Sequence, residues 1–370
     1  MIYHLLAEGE VFSAYRGGAI ARNIANMMRF DVSRVVVCRV ADDTWGYPPE
    51  RIVILPKLVP YSKIKGRGHF PAWATSWFFR IAFVPLLSRL KAGDIVWCHN
   101  QPAYCAALES LIRKKGVKLV FHAHNSITPY YQRYKYRLFC ADAMIFVSEA
   151  LRQESLRSMP WLKNTHTIHN GADEALFYPL PSGKIQHRDV PCILFVGRLH
   201  PTKGVDVLME AMRILQARKV DAICRIVGSS LAGGSKPTSY TRSLVKHAPS
   251  NVQFAPYRPG TEIGQEYQNA DIFCCPSTWQ EPFGNIVIEA MACGIPVVAS
   301  RVGGIPEIAA EGGVLLVEPG AAIELADAFQ KLIADKELRG KVAEEGLSSF
   351  TRRFRWSVIC KQYAEIVSGL

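Results

Sequence analysis

Short apolar runs alternate with stretches of helical periodicity along all 370 residues, and that alternation leaves few folds open. Strands that return to one sheet in parallel need crossovers of roughly a dozen residues or more, which helices fill. Such runs fall near residues 1–6, 34–40, 52–55, 94–98, 117–122, 143–147 and 165–169. A second series falls near 191–196, 222–227, 252–254, 271–275, 295–299 and 313–317. Between them, the stretch 205–217 sets Val205, Leu208, Met209, Met212 and Leu215 on one helical face. The pattern predicts an α/β chain of two doubly wound parallel-sheet domains, over 1–178 and 190–352, joined by a polar linker at 179–189. Ligands of such sheets collect outside the carboxyl ends of the strands.

Composition removes several classes. The longest apolar region, 73–90, is interrupted by Arg80, Pro85 and Arg89, so no run is long enough to span a membrane. The N-terminus lacks a basic segment ahead of an apolar one, so no signal peptide is expected. Ten cysteines are scattered without a C-x-x-C pair, and Cys38, Cys98, Cys274 and Cys275 sit in strand-like runs. That usage fits buried thiols in a reducing cytoplasm. Residues 1–180 carry 23 Lys and Arg against 13 Asp and Glu, while 181–370 carry 21 against 19. The first half therefore faces something anionic. No helix-turn-helix, zinc or single-strand-binding signature accompanies the charge, so nucleic acid is not the expected partner.

Four segments carry candidate chemistry. In LFVGRLHPTKG, 194–204, a buried strand ends at Gly197, and Arg198 and Lys203 follow before a helix opens. Backbone amides, a helix start and two cations at one point suit a diphosphate; an ordinary surface-charged loop is the alternative. In EPFGNIVIEA, 281–290, Glu281 precedes a helix that starts at Gly284–Asn285, and Glu289 falls in its second turn. Glu289 lies among Ile286, Val287, Ile288, Ala290, Met291 and Ala292, where a carboxylate needs a partner. In VFHAHNSITP, 120–129, His124 follows a strand end, as does His99 in WCHNQP; either residue could bind a ligand or simply cap a buried loop. In EGEVFSAYRGGAIARNIA, Gly17 and Gly18 open a helix beside Arg16, and glycine there allows close approach of a phosphate or an acceptor.

Taken together, FVGRLHPTKG, the E-x₇-E segment, YQNADIFCCPST, IHNGADEALFYP and the terminal FTRRFRWSVICKQYAEIV resemble the family-four retaining glycosyltransferases of GT-B fold. The combination of FHAHNSITP, VGSSLAGGSKPTSY and PSTWQEPFGNIVIEA is similar to lipopolysaccharide-core N-acetylglucosaminyl- and glucosyltransferases. The resemblance implies two Rossmann-like domains facing across a cleft, with 353–370 crossing back to the first. It implies that Arg198 and Lys203 neutralise the diphosphate of a nucleotide-sugar donor, UDP before GDP by family frequency. Glu281 would hold sugar hydroxyls; Phe283, Gly284, Asn285 and Ile286 would line sugar and phosphates, and Glu289 would bind the ribose. Tyr257 and Arg258 would read the base through backbone groups, His124 would lie near the reacting sugar, and Arg16 and His99 would lie on the acceptor side. No D-x-D motif stands in a strand-end loop, so neither a metal nor another cofactor is expected.

The acceptor is less constrained. Residues 51–91 hold eight basic and no acidic residues, and over 57–91 the cations interleave with Trp73, Trp77, Phe78, Phe79 and Phe83. Such a stretch suits the anionic inner face of the cytoplasmic membrane and a lipid-linked saccharide acceptor; an aromatic helix face packed in the core would read the same. The alternatives are a soluble small-molecule acceptor and a sugar-nucleotide epimerase of the same architecture.

Overall fold

A computed structural model describes residues 1–7, 9–14, 18–56, 81–129, 141–180, 190–229 and 237–370. Arg16, Gly17 and most of the basic aromatic stretch, 57–80, lie outside the described residues, as does most of the expected linker. The chain divides into two compact units, Met1–His169 with Cys360–Leu370, and Asn170–Ile359.

The first unit is built on seven parallel strands: β1 (Ile2–Leu5), β2 (Arg34–Cys38), β3 (Ile52–Ile54), β4 (Ile95–His99), β5 (Lys118–Ala123), β6 (Ala143–Phe146) and β7 (Thr165–Thr167), in the order β3-β2-β1-β4-β5-β6-β7. The second has β8 (Cys192–Val196), β9 (Ile223–Val227), β10 (Val252–Ala255), β11 (Ile272–Cys275), β12 (Val297–Ser300) and β13 (Val314–Val317), in the order β10-β9-β8-β11-β12-β13. Both orders are doubly wound, so β1 and β8 each flank the point where the winding reverses. All thirteen strands coincide with the apolar runs of the sequence. A two-residue pairing of Val11–Phe12 with Val40–Ala41 does not, because runs that short carry no period.

The inner strands are buried on both faces, which is why they read as unbroken Val, Ile, Leu and Cys rather than as alternation. The helix Val205–Ala217 lays Val205, Leu208, Met209, Met212 and Leu215 into the core of the second unit, as its periodicity predicts. The domain boundary falls earlier than the linker composition suggested, after His169 rather than 178. Phe177 packs edge-on against Tyr267 at 5.4 Å, and the Asn170 amide donates to the Asn285 side chain at 2.9 Å. These contacts tie 170–178 to the second unit, and turn residues alone do not reveal them. At the other end, the helix Trp356–Ser368 gives Cys360–Ser368 to the first unit. None of the described helices is long and apolar enough to cross a membrane.

The helix Ala322–Ala334 offers a check on this packing. Phe329 is fully buried and Ile323, on the same helix, is 63% exposed. Phe329→Ala should lower stability by about 3–5 kcal/mol, and Ile323→Ala by no more than about 0.5 kcal/mol. Urea unfolding of the two variants measures both.

Candidate active site

Where the winding reverses beside β8, the loops leaving β8 and β11 meet. The β8 loop runs through Gly197 and Arg198 into a 3₁₀ turn, Pro201–Lys203, whose start is capped by the His200 ring accepting from the Thr202 amide. Gly204 then takes φ +66°, and a Cβ there would fall 1.9 Å from the Pro276 carbonyl oxygen. Glycine is required for the two loops to touch. The Thr278 amide donates to the Thr202 carbonyl at 3.0 Å, closing the contact.

This approach brings Lys203 Nζ within 2.5 Å of Glu281 Oε1, although the two are 78 positions apart in sequence. The pair is nearly buried, with 13% and 9% of the side chains exposed. Ser277 Oγ donates to the same oxygen at 2.6 Å. Among the described residues Oε2 of Glu281 has no partner, and it is not sealed in the interior. One oxygen is therefore held by the protein and the other is open to a ligand hydroxyl. The Lys203 ammonium also stands 5.3 Å from the centre of the Trp279 ring. A third loop, after β12, fixes the main chain of Glu281. The Gly304 amide donates to its carbonyl at 2.9 Å, and Gly303, at φ +54°, leaves no room for a Cβ there.

The helix after Glu281 runs Asn285–Ala292 with Gly284 as its left-handed N-cap, the start read from the sequence. Among the described residues the first-turn amides of Asn285 and Ile286 have no backbone acceptor, as is usual at a helix start. Phe283 is buried edge-on against Phe354 at 5.9 Å, so its ring serves the core. Glu289 has the partner its apolar surroundings demanded: Tyr267 Oη donates to Oε2 at 2.8 Å. Burial, with the Glu289 charge beside it, pushes the Tyr267 hydroxyl well above its ordinary pKa, so the phenol stays a donor. Arg198 is exposed at the mouth of the same loop. Arg258, half-buried after β10, is held by Glu262 at 3.3 Å and Glu266 at 3.4 Å, and Tyr257 sits next to it.

In the first unit the corresponding reversal lies between β1 and β4. A hollow of about 150 Å³ opens there, lined by Glu10, Asn100, Gln101, Asn125 and Ser126 among others. Gly18 caps the helix Ala19–Phe30, and its amide donates to the Glu10 carboxylate, whose pKa burial nevertheless raises. A Cβ at Gly18 would meet that carboxylate at 2.6 Å. Asn100 accepts from the amides of His124 and Asn125 at 2.7 and 3.1 Å, so it shapes the loop after β5. His99 and His124 are both buried and bonded to each other, Nδ1 to Nε2, at 2.9 Å. Sequence reading missed Ser277, Tyr267, Gly303, Glu10 and His4. The last is a histidine inside an otherwise apolar strand, an anomaly visible in the sequence alone.

Residues 21–176 match the family model described as Glycosyltransferase Family 4, and 183–348 match that described as Glycosyl transferases group 1. Two glycosyltransferase family models thus match successive parts of the chain. The alpha-maltose-1-phosphate synthase of Mycolicibacterium smegmatis is 31% identical over 61% of this chain and 62% of that protein. The D-inositol 3-phosphate glycosyltransferase of Corynebacterium glutamicum is 34% identical over 47% and 42%. The chain thus spans less than two thirds of either relative. Among solved structures, Anabaena HepE in complex with UDP and glucose superposes with a TM-score of 0.75 at 21% identity, covering 100% of this chain and 99% of that one. The sucrose-phosphate synthase of Thermosynechococcus elongatus gives 0.76 at 22%, covering 100% and 98%. At these identities the likeness is one of fold, and the fold is GT-B.

Four buried histidines give the first unit an acid limit. Burial holds His4, His99 and His122 well below their ordinary pKa of 6.5 and His124 at about 3. All four protonate near 6.5 in the unfolded chain but stay neutral when folded. Stability is therefore complete above that pH and is lost as the pH falls below it. With up to four protons favouring the unfolded state, the slope approaches about 5 kcal/mol per pH unit. Urea midpoints should drop steeply between pH 6.5 and 5; a flat profile would contradict the neutral, buried state of these rings.

Proposed function

We propose that this protein is a retaining glycosyltransferase that moves a hexose or N-acetylhexosamine from a UDP-sugar to a saccharide acceptor. The observation that carries the reading is the Lys203–Glu281 pair at the strand reversal, with one carboxylate oxygen left open. Lys203 and Arg198 supply fixed positive charge to the diphosphate as it departs, where preorganised charge lowers the barrier most. The open oxygen of Glu281 grips sugar hydroxyls, the first-turn amides of Asn285 and Ile286 meet the phosphates, and Glu289, steadied by Tyr267, takes the ribose hydroxyls. Lys203 exchanges Glu281 for phosphate when the donor arrives, so the empty site carries no uncompensated charge. No metal has a part in this scheme, because two side-chain cations neutralise the leaving group. The HepE structure that shares this fold is a complex with UDP, which supports the choice of nucleotide.

The acceptor proposed is a lipid-linked saccharide of lipopolysaccharide type, reached at the inner face of the cytoplasmic membrane. Its support is the run of eight cations without an acidic residue over 51–91, together with the exposed apolar side chains Ile81 and Val84. Phe83 does not contribute, since it is buried edge-on against Tyr104 at 5.1 Å. A soluble acceptor is the second reading, favoured by the names of the inositol phosphate and maltose phosphate relatives.

Lys203→Ala and Glu281→Ala should each cut turnover by ~100-fold or more while the proteins remain folded. Release of nucleoside diphosphate across a panel of UDP- and GDP-sugars measures this, and near-normal rates in folded variants would reject the assignment. Radiolabel that isomerises within the donor without reaching an acceptor would identify an epimerase. Flotation with acidic vesicles at low salt should recover the protein with the lipid; failure to float would leave the soluble acceptor.

A further inference from the structure

The first unit carries a buried polar feature on its sheet. On one face of its sheet, side chains from β2, β1 and β4 and from the residue that follows β5 form an unbroken row. Arg34 Nη1 contacts His4 Nε2 at 2.9 Å, His4 Nδ1 contacts His99 Nε2 at 3.0 Å, and His99 Nδ1 contacts His124 Nε2 at 2.9 Å. Parallel register produces the row. Arg34 pairs with Ile2, His4 with Trp97 and His99 with His122, so the alternate positions 34, 4, 99 and 124 lie on a common face. Arg34 and all three rings are buried.

The row has a direction. A guanidinium only donates, so Nε2 of His4 must carry the lone pair and Nδ1 the proton. That proton points at Nε2 of His99, which fixes the His99 proton on Nδ1, and the same step fixes the His124 proton on Nδ1. Reversing any single ring would set two N–H groups or two lone pairs face to face in a dry interior, at a cost of about 1–3 kcal/mol. Among the described residues Nδ1 of His124 has no partner, and it is not sealed in the interior. Its chain neighbour Asn125, and Asn100, which accepts from the His124 main-chain amide, line the hollow at the strand reversal. We propose that Arg34, His4 and His99 are positioning residues that lock His124 in its Nδ1–H tautomer, so that it meets substrate as a hydrogen-bond donor and not as a base. The substrate role rests on the transferase reading above. The row is a clamp and not a proton conduit, because its far end is an arginine that cannot give up its proton.

The groups facing the row are few. Asp31 pairs with Arg34 at 3.1 Å, and the Trp97 ring lies 5.5 Å from the guanidinium. Cys360 and Tyr363 of the last helix act on Arg34, and Tyr363 packs on Trp97 and His122. Ring nitrogens of His99, His122 and His124 come within 4.8 Å of one another, close enough for a metal ion. A divalent ion would have to displace the proton between His99 and His124, and no carboxylate belongs to the trio. Its charge would also add to that of Arg34 in a buried region. Metal-bound histidines usually donate their second nitrogen to an anion or a carbonyl, whereas the second nitrogen of His99 accepts from His4. The row favours a proton.

Long-range ¹H–¹⁵N correlation on the labelled full chain reads the tautomers directly. His4, His99 and His124 should all appear as neutral Nδ1–H rings between pH 6 and 8. His4→Phe, which breaks the row, should let Nε2–H signals appear at His99 and His124 and lower kcat at least about tenfold with little change in KM. His4→Gln can accept from Arg34 and donate to His99, so it should restore both the tautomers and kcat. An Nε2–H or cationic His124 in the wild type would overturn the proposal. So would unchanged tautomers and kcat in His4→Phe, or displacement of the Nδ1–H signals by one equivalent of Zn²⁺. Absence of transfer from every donor would count against the transferase reading alone, because the tautomer assignment needs no turnover.

Discussion

The reversal of winding beside β8 is the constraint on which the candidate site depends. Elsewhere in a doubly wound sheet, neighbouring loops turn to the same side and shield each other. At the reversal they turn to opposite faces and leave a crevice at the carboxyl ends. Here the loops on either side of that crevice are drawn together by Gly204 against the Pro276 carbonyl, so an ammonium and a carboxylate share a nearly buried position. Ser277, Gly303 and Gly304 hold the carboxylate and its main chain from two further directions. Charge placed this rigidly has little left to reorganise when a ligand with its own charge arrives.

The first unit uses the same topology with a different chemistry. Its reversal, between β1 and β4, is served by hydrogen-bonding groups: Asn100, Gln101, Asn125, Ser126 and the Glu10 carboxylate at a helix start. Behind them an interior face carries Arg34 and four histidines, where an apolar face would be more stable. Polar groups so placed are kept for position and direction. The acid sensitivity they impose is the thermodynamic cost of that order.

Much of this was legible in the sequence. Strands buried on both faces read as continuous apolar runs, so their number and place were apparent. Gly284 with Asn285 marked the helix start, and the apolar run around Glu289 required a partner. The identity of that partner was not legible, since Tyr267 lies on a different helix 22 positions away and nothing local distinguishes it from any core tyrosine. Phe83 misled for the converse reason: an aromatic among cations reads alike whether it faces lipid or core, and only its packing on Tyr104 decides. The boundary after His169 depends on contacts of Asn170 and Phe177 that turn composition does not encode.

By itself the sequence determined the class of fold, the order of its elements and the residue types at strand ends, because periodicity and glycine placement are local properties of the chain. The tertiary structure alone decided which strand ends are neighbours. That set Lys203 on Glu281 across 78 positions, and it aligned Arg34, His4, His99 and His124 into a single polarised row. Register and strand order place residues across a sheet, and both arise from long-range packing that no short window of sequence contains.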